Sequence, residues 1–169
     1  MTETSTLEAP CQVLSGNEIV EVRKDLNTGH KFIVATCAFK PGAVLCAFSA
    51  RATFAEASRL TIQIGIDRHI TLTPKFLQYT NHSCAPNIFF DPTAMRVIVL
   101  KAVTPGDELR FFYPSTEWEM AEPFACHCGA GNCLRSINGA AFMPVDVLRQ
   151  YRLSDFIQQQ LADRQAEVK

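Results

Sequence analysis

Three thiols lie within eight residues in Phe124-Ala-Cys-His-Cys-Gly-Ala-Gly-Asn-Cys133, spaced C-x-C-x4-C. Gly129 and Gly131 let that backbone curl so that the sulfurs converge. A structural zinc ion takes four ligands at tetrahedral corners, with Zn–S near ~2.3 Å, so three local thiols leave one corner to fill. Cys84, 42 residues before Cys126, is the long-range candidate, and His127 inside the loop is its rival. His127 alternates with Cys126 and Cys128, and points elsewhere if both of them ligate. A redox-active or merely exposed cysteine loop is the other reading of this spacing. An ion held through Cys84 would tie a late loop to the middle of the chain and wall one side of a cleft. Cys11, Cys37 and Cys46 are scattered among apolar neighbours and read as small buried hydrophobes.

Cys84 itself sits in Asn81-His-Ser-Cys-Ala-Pro-Asn87. Adjacent Asn and His at a chain reversal have a plain reading, in which side chains and amides satisfy the turn. Downstream, Pro105-Gly-Asp-Glu-Leu-Arg-Phe-Phe-Tyr113 puts a tyrosine at the end of an expected strand, stopped by Pro114. A lone tyrosine there is ordinarily an anchoring core aromatic. Phe111 and Phe112, adjacent on a strand, face opposite sides.

The elements that must position these groups are short. Apolar or β-branched stretches run 19–22, 32–36, 44–48, 61–66, 69–72, 88–90, 95–100 and 109–112, separated by Asn27-Thr-Gly29, Lys40-Pro-Gly42, Asp91-Pro-Thr93 and Thr104-Pro-Gly106. Strands at that spacing predict small antiparallel sheets, with no room for crossover helices. Residues 74–79 read as a short helix with Thr73 as N-cap and Pro74 at its first position. Val145, Leu148, Arg152, Phe156 and Leu161 predict one amphipathic helix, packed on the sheet or on a partner. Gln158–Gln160 and the tail after Ala162 read as solvated. The 169 residues are 47% apolar and 20% charged, enough for one core. Sixteen basic against 17 acidic residues argue against binding nucleic acid by bulk charge. The first ten residues show no basic or apolar leader pattern, and no run approaches the ~18 apolar residues of a membrane span. The expectation is a soluble intracellular protein, cytoplasmic or nuclear, with reduced thiols.

Taken in order, these segments resemble the SET-domain methyltransferases. That family carries a Gly-rich opening strand, an R-F-x-N-H-S-C-x-P-N segment, G-E/D-E-L with a tyrosine four residues later, and a C-x-C-x4-C post-SET loop. Tyr79–Asn87, Gly106–Tyr113 and Cys126–Cys133 fit, and Lys40-Pro-Gly-Ala-Val-Leu45 is similar to the family's K-x-G-x-V-L strand. The resemblance implies a mainly β fold of several small antiparallel sheets with a knot-like C-terminal junction, short helices and a C-terminal helix. It divides the chain into an arm (1–17), the SET domain (18–118), the post-SET zinc loop (119–138) and a helical extension (139–169). It implies S-adenosylmethionine as methyl donor, contacted by Asn81 and His82, with its methionine end cupped by Gly29, His30, Lys31 and Phe32. Trp118, Phe124 or His127 would stack on the adenine. Tyr113 would be the catalytic hydroxyl, Phe111 or Phe112 would line the acceptor channel, and Cys84, Cys126, Cys128 and Cys133 would hold a structural zinc.

The chain departs from the family at four points. The second glycine of the Gly-x-Gly opening is Lys31, the Arg before the N-H motif is Gln78, and the acidic residue before the tyrosine is Phe112. The second pocket tyrosine, expected near 61–66, is absent, since only Tyr79, Tyr113 and Tyr151 occur. Residues 50–67, where the family selects its substrate, are few. The resemblance implies a methyltransferase acting on a protein lysine, histone or non-histone. The departures set two alternatives beside it, a small-molecule amine as acceptor and a catalytically silent binding module. No membrane or direct nucleic-acid partner is expected. A homodimer through the C-terminal helix is a further expectation.

Overall fold

Turn chemistry cuts residues 10–167, the part of the chain that the computed structural model describes, into short elements. In chain order the strands are β1 (Cys11–Gly16), β2 (Val20–Asp25), β3 (Lys31–Ala35), β4 (Val44–Ala47), β5 (Ser49–Phe54), β6 (Ile62–Gly65) and β7 (Arg68–Thr73). They continue as β8 (Asn81–His82), β9 (Ile88–Asp91), β10 (Arg96–Val99), β11 (Arg110–Phe111), β12 (Phe124–Ala125) and β13 (Ser136–Ile137). Helices α1 (Val145–Leu148) and α2 (Asp155–Glu167) follow, and 3-10 turns occupy Lys75–Tyr79, Tyr113–Ser115 and Ala140–Phe142.

Three antiparallel sheets of three strands, ordered β1-β2-β3, β4-β10-β9 and β5-β7-β6, surround the main core. Val20 and Val22 alternate inward on β2, while β9 and β10 bury nearly every side chain. Val20, Val22, Ile88, Phe90, Val97 and Val99 join Ile33, Ile70, Leu77, Leu109 and Phe111 in one cluster. Local polar contacts make the turns. Asn17 Oδ1 accepts the N–H groups of Ile19 and Val20, both at 2.9 Å. Asp25 Oδ1 accepts those of Asn27 (2.7 Å) and Thr28 (2.9 Å), and Gly29 closes that turn at φ +75°.

A second core forms beyond the sheets. Cys84, Phe112, Cys126, Ile137, Met143, Leu148, Leu153, Ile157 and Leu161 are buried together there. Gly139 makes its close packing possible, because a Cβ at that position would sit 2.5 Å from the Trp118 carbonyl oxygen.

Several expectations fail at the edges. The arm expected through residue 17 is strand β1 from Cys11 onward; residues 1–9 lie outside the described part. Every β1 side chain is exposed, so its order comes from the ladder to β2, which leaves no hydrophobic trace in the sequence. Cys11 is exposed for the same reason, while Cys37 and Cys46 are half-buried. Residues 75–79 form a 3-10 turn in which Pro74 occupies the cap position and no side chain caps. The single C-terminal helix is two. Tyr151 turns to stack on Phe112 (3.7 Å between ring centres), and Ser154 starts α2 by accepting the Ile157 N–H at 3.3 Å. Ile157 and Leu161 of α2 are buried inside this chain's own second core.

Candidate active site

The two motif segments meet through the parallel pair β8–β11, which sets Asn81 opposite Arg110 and His82 opposite Phe111. Asn87 fastens the junction. Its Oδ1 accepts the Arg110 N–H (2.8 Å) and its Nδ2 donates to the Glu108 carbonyl (2.9 Å). Asn81 Nδ2 donates to Glu108 Oε1 (3.0 Å) and to the Lys31 carbonyl (3.4 Å). Glu108 is ion-paired with Arg110, whose Nη1 reaches the Cys128 carbonyl at 3.3 Å. One polar chain thus runs from the start of β3 through the Asn-His segment to the cysteine loop.

His82 links that loop to Tyr113. The Tyr113 N–H donates to His82 Nδ1 at 3.2 Å, so the ring proton belongs on Nε2, which faces Cys84 Sγ at 3.4 Å. Burial lowers the His82 pKa to about 4 and keeps the ring neutral. The Tyr113 hydroxyl donates to the Thr80 carbonyl at 3.0 Å. Burial raises its pKa far above the ordinary phenol value; nearby Arg59 opposes the shift, and Glu108 and Glu117 add to it. Tyr113 is therefore a hydrogen-bonding phenol and not a base.

Phe124 completes an aromatic corner, its ring centre 5.6 Å from His82 and 5.9 Å from Tyr113. Trp118 lies elsewhere, in the second core beneath the Arg164 guanidinium (5.5 Å), and His127 is exposed. Phe111 faces the main core with its ring 4.7 Å from Tyr113, whereas Phe112 faces the second core. Gly29 and His30 form an exposed turn, Lys31 turns outward over the Tyr79 ring at 5.0 Å, and Phe32 is half-buried. Cavities of about 510 Å³ beside Phe89 and α2 and about 460 Å³ behind Cys84 are not lined by Tyr113.

The sulfurs of Cys84, Cys126, Cys128 and Cys133 all lie within 4.8 Å of one another, with Cys84 and Cys126 at 3.9 Å. Tetrahedral thiolates around zinc would be about 3.8 Å apart, so this donor set fits the ion, and His127 stands outside it. Main-chain amides already point at the sulfurs, from Leu134 to Cys84 (3.4 Å) and from Cys84 to Cys128 (3.5 Å). Burial pushes the Cys84 thiol up to about 11. At Cys128 burial is outweighed by the amides of Cys84 and Ala130 and by the neighbouring thiols, and its pKa falls to about 6. The Cys84 carbonyl accepts from Asn132 Nδ2 (2.8 Å) and the Tyr151 hydroxyl (2.9 Å).

Sequence reasoning missed Asn132, Tyr151 and Arg164, which hold the loop and the extension, and a buried polar knot beside Tyr113. There, Glu117 Oε1 accepts the Gln63 N–H (2.9 Å) and the Thr116 hydroxyl (3.0 Å), while Gln63 Oε1 accepts the Trp118 N–H (2.9 Å). The only available signal was a carboxylate four residues after the tyrosine, in a segment with no periodicity.

The SET domain family profile matches residues 30–114, just over half of the chain. Methyltransferase flvH of Aspergillus flavus is 43% identical over 110 residues, 64% of this chain and 61% of flvH. Histone-lysine N-methyltransferase 2D of Homo sapiens is 36% identical over 74 residues, 40% of this chain and 1% of that protein. This chain therefore spans less than two thirds of either relative. Among solved structures, KRYPTONITE in complex with mCHG DNA and SAH superposes with a TM-score of 0.51 at 22% identity, over 67% of this chain and 27% of that one; this shows the fold alone. Among the described residues no helix is long and apolar enough to cross a membrane. With the profile laid over the strands that join Asn81 and His82 to Tyr113, the chain belongs to the SET domain family.

Proposed function

We propose that this chain is an S-adenosylmethionine-dependent N-methyltransferase whose acceptor is a primary amine, foremost the side chain of a protein lysine. The observation that carries the reading is the anchoring of Tyr113 by His82, at a junction that also gathers Asn81, Phe124 and the four thiols. The donor supplies an electrophilic methyl group with its own leaving group already in place. The protein's part is alignment, which is worth several powers of ten in such a displacement. Asn81, the turn at Gly29–Phe32 and Phe124 would hold the donor. Tyr113 would orient the acceptor through its hydroxyl, and Phe111 would form the apolar wall beside it. Desolvation beside Tyr113 would favour the neutral, reactive amine. Cys84, Cys126, Cys128 and Cys133 would hold a structural zinc that fastens the loop over His82. The names of the histone-lysine relatives support a lysine acceptor and, with it, a nuclear or cytoplasmic setting.

A small-molecule amine is the second reading. It is favoured by the outer edge of β6, where Glu117 occupies the Gln63 N–H that an extended peptide would otherwise pair with. A methyl-transfer screen of lysine peptides against free amines decides between the two. Transfer to neither, with S-adenosylmethionine bound, would leave the silent module.

A further inference from the structure

Glu117 is a buried carboxylate four residues after the proposed catalytic tyrosine. It is 6% exposed, and its N–H donates to the Tyr113 carbonyl at 3.0 Å, placing it one turn beyond the phenol. Oε1 is fully engaged by the Gln63 N–H and the Thr116 hydroxyl. Both of those bonds fall on Oε1, and Oε2 receives none from the described residues. A buried carboxylate oxygen left without a donor is costly unless water or a ligand supplies one. Across the sheet, His69 pairs directly with Gln63, so the two side chains share a face. His69 is 5% exposed, and its Nδ1 is sealed without a partner. Two polar groups awaiting partners thus flank Gln63, in the strand region where the family's second pocket tyrosine is missing.

We propose that Glu117 Oε2 is the acceptor-recognition group, receiving the ammonium of a primary aliphatic amine before methyl transfer. The proposal rests on the methyltransferase reading of the same site. The arriving R–NH3+ donates an N–H to the carboxylate oxygen; if the proton then passes to Oε2, the products are R–NH2 and the neutral acid, and charge balances. Burial raises the Glu117 pKa to about 7, with the Gln63 amide and the Thr116 hydroxyl opposing it. The carboxyl is therefore poised to exchange that proton near neutrality. The titratable groups around it are Tyr113 on its own segment and His69 on β7, with Arg59 acting on Tyr113 from the loop before β6.

The test is a carbon-13 titration of the full, zinc-loaded chain carrying labelled glutamate, with SAH added. The Glu117 signal is identified by its loss in Glu117→Gln, a variant that keeps an acceptor for the Gln63 N–H. The carboxyl should titrate near pH 7. Saturating n-butylammonium should weaken its proton affinity about tenfold, as a bound cation must, while n-butanol leaves it unmoved. An Ala-Lys-Ala peptide in place of n-butylammonium tells a peptide lysine from a free amine. For whichever amine is methylated, Glu117→Gln should raise KM roughly tenfold or more, the scale of a lost charged hydrogen bond, and remove the acid limb of the pH profile. A titration that n-butylammonium and the peptide both leave unchanged overturns the proposal even if methyl transfer occurs. A shifted titration in a protein that transfers no methyl keeps amine recognition and overturns the methyltransferase reading instead.

Discussion

The main β core and the core around the cysteine loop are built from different forces. Among the described residues the first holds 17 buried apolar residues, most of them on three antiparallel sheets, so strand pairing and burial reinforce each other. The second holds ten, two of them cysteines, among two two-residue strands, short turns and α2. Its backbone is fastened by side chains: Asn132 and Tyr151 on the Cys84 carbonyl, Arg164 on the carbonyls of Ala141 (2.8 Å) and Met143 (3.4 Å), and Arg110 on that of Cys128. A core of that size gains most from a cross-link, which the proposed zinc on its converging thiols would supply. The boundary passes between Phe111 and Phe112, and Tyr113 is the next residue. The proposed active site thus lies where the larger core meets one that the proposed zinc would brace.

Removing the proposed zinc should separate the two most strongly. Structural zinc contributes on the order of 10 kcal/mol, so a chelator or Cys84→Ser should release about one zinc per chain. Hydrogen exchange across 124–137 should then quicken while β9 and β10 stay protected. His127→Ala should keep the metal. Release by His127→Ala and not by Cys84→Ser would break the assignment.

The adjacent phenylalanines sharpen the contrast. Both are nearly buried, Phe111 at 6% and Phe112 at 2% exposure, so each change to Ala should cost about 3–5 kcal/mol. Phe111→Ala should lower the main unfolding transition. Phe112→Ala should remove the stack on Tyr151 and loosen 124–161 first, which domain-resolved exchange would reveal; identical exchange patterns would show that the cores are one.

Tyr151→Phe is the finest probe. It deletes the hydrogen bond to the Cys84 carbonyl while Asn132 still serves that oxygen and the ring stack survives. The expected loss is about 1 kcal/mol, seen as a small fall in chelator resistance with the main transition unmoved.

Much of the first region was legible in the sequence because each strand there carries its own apolar residues between turn formers. The N-H-S-C segment, Gly106–Tyr113 and the cysteine spacing were legible because chemistry restricts residue type and distance together. Strand β1 was hidden because its order comes from main-chain pairing alone. The break between α1 and α2 was hidden because Tyr151 leaves the helical path for Phe112, a partner 39 residues away. Glu117 was hidden because its role depends on Gln63, which reaches it only after β6 folds onto the Tyr113 segment.

In the proposed function the Tyr113 hydroxyl, bonded to the Thr80 carbonyl on a main chain that His82 anchors, orients the acceptor. The direct measurement is turnover of Tyr113→Phe on an amine that the wild-type chain methylates, together with S-adenosylmethionine affinity. One oxygen is lost and the ring contacts with His82, Phe111 and Phe124 remain. Turnover should fall at least about tenfold, with cofactor affinity close to wild type. Full turnover in Tyr113→Phe would contradict the account.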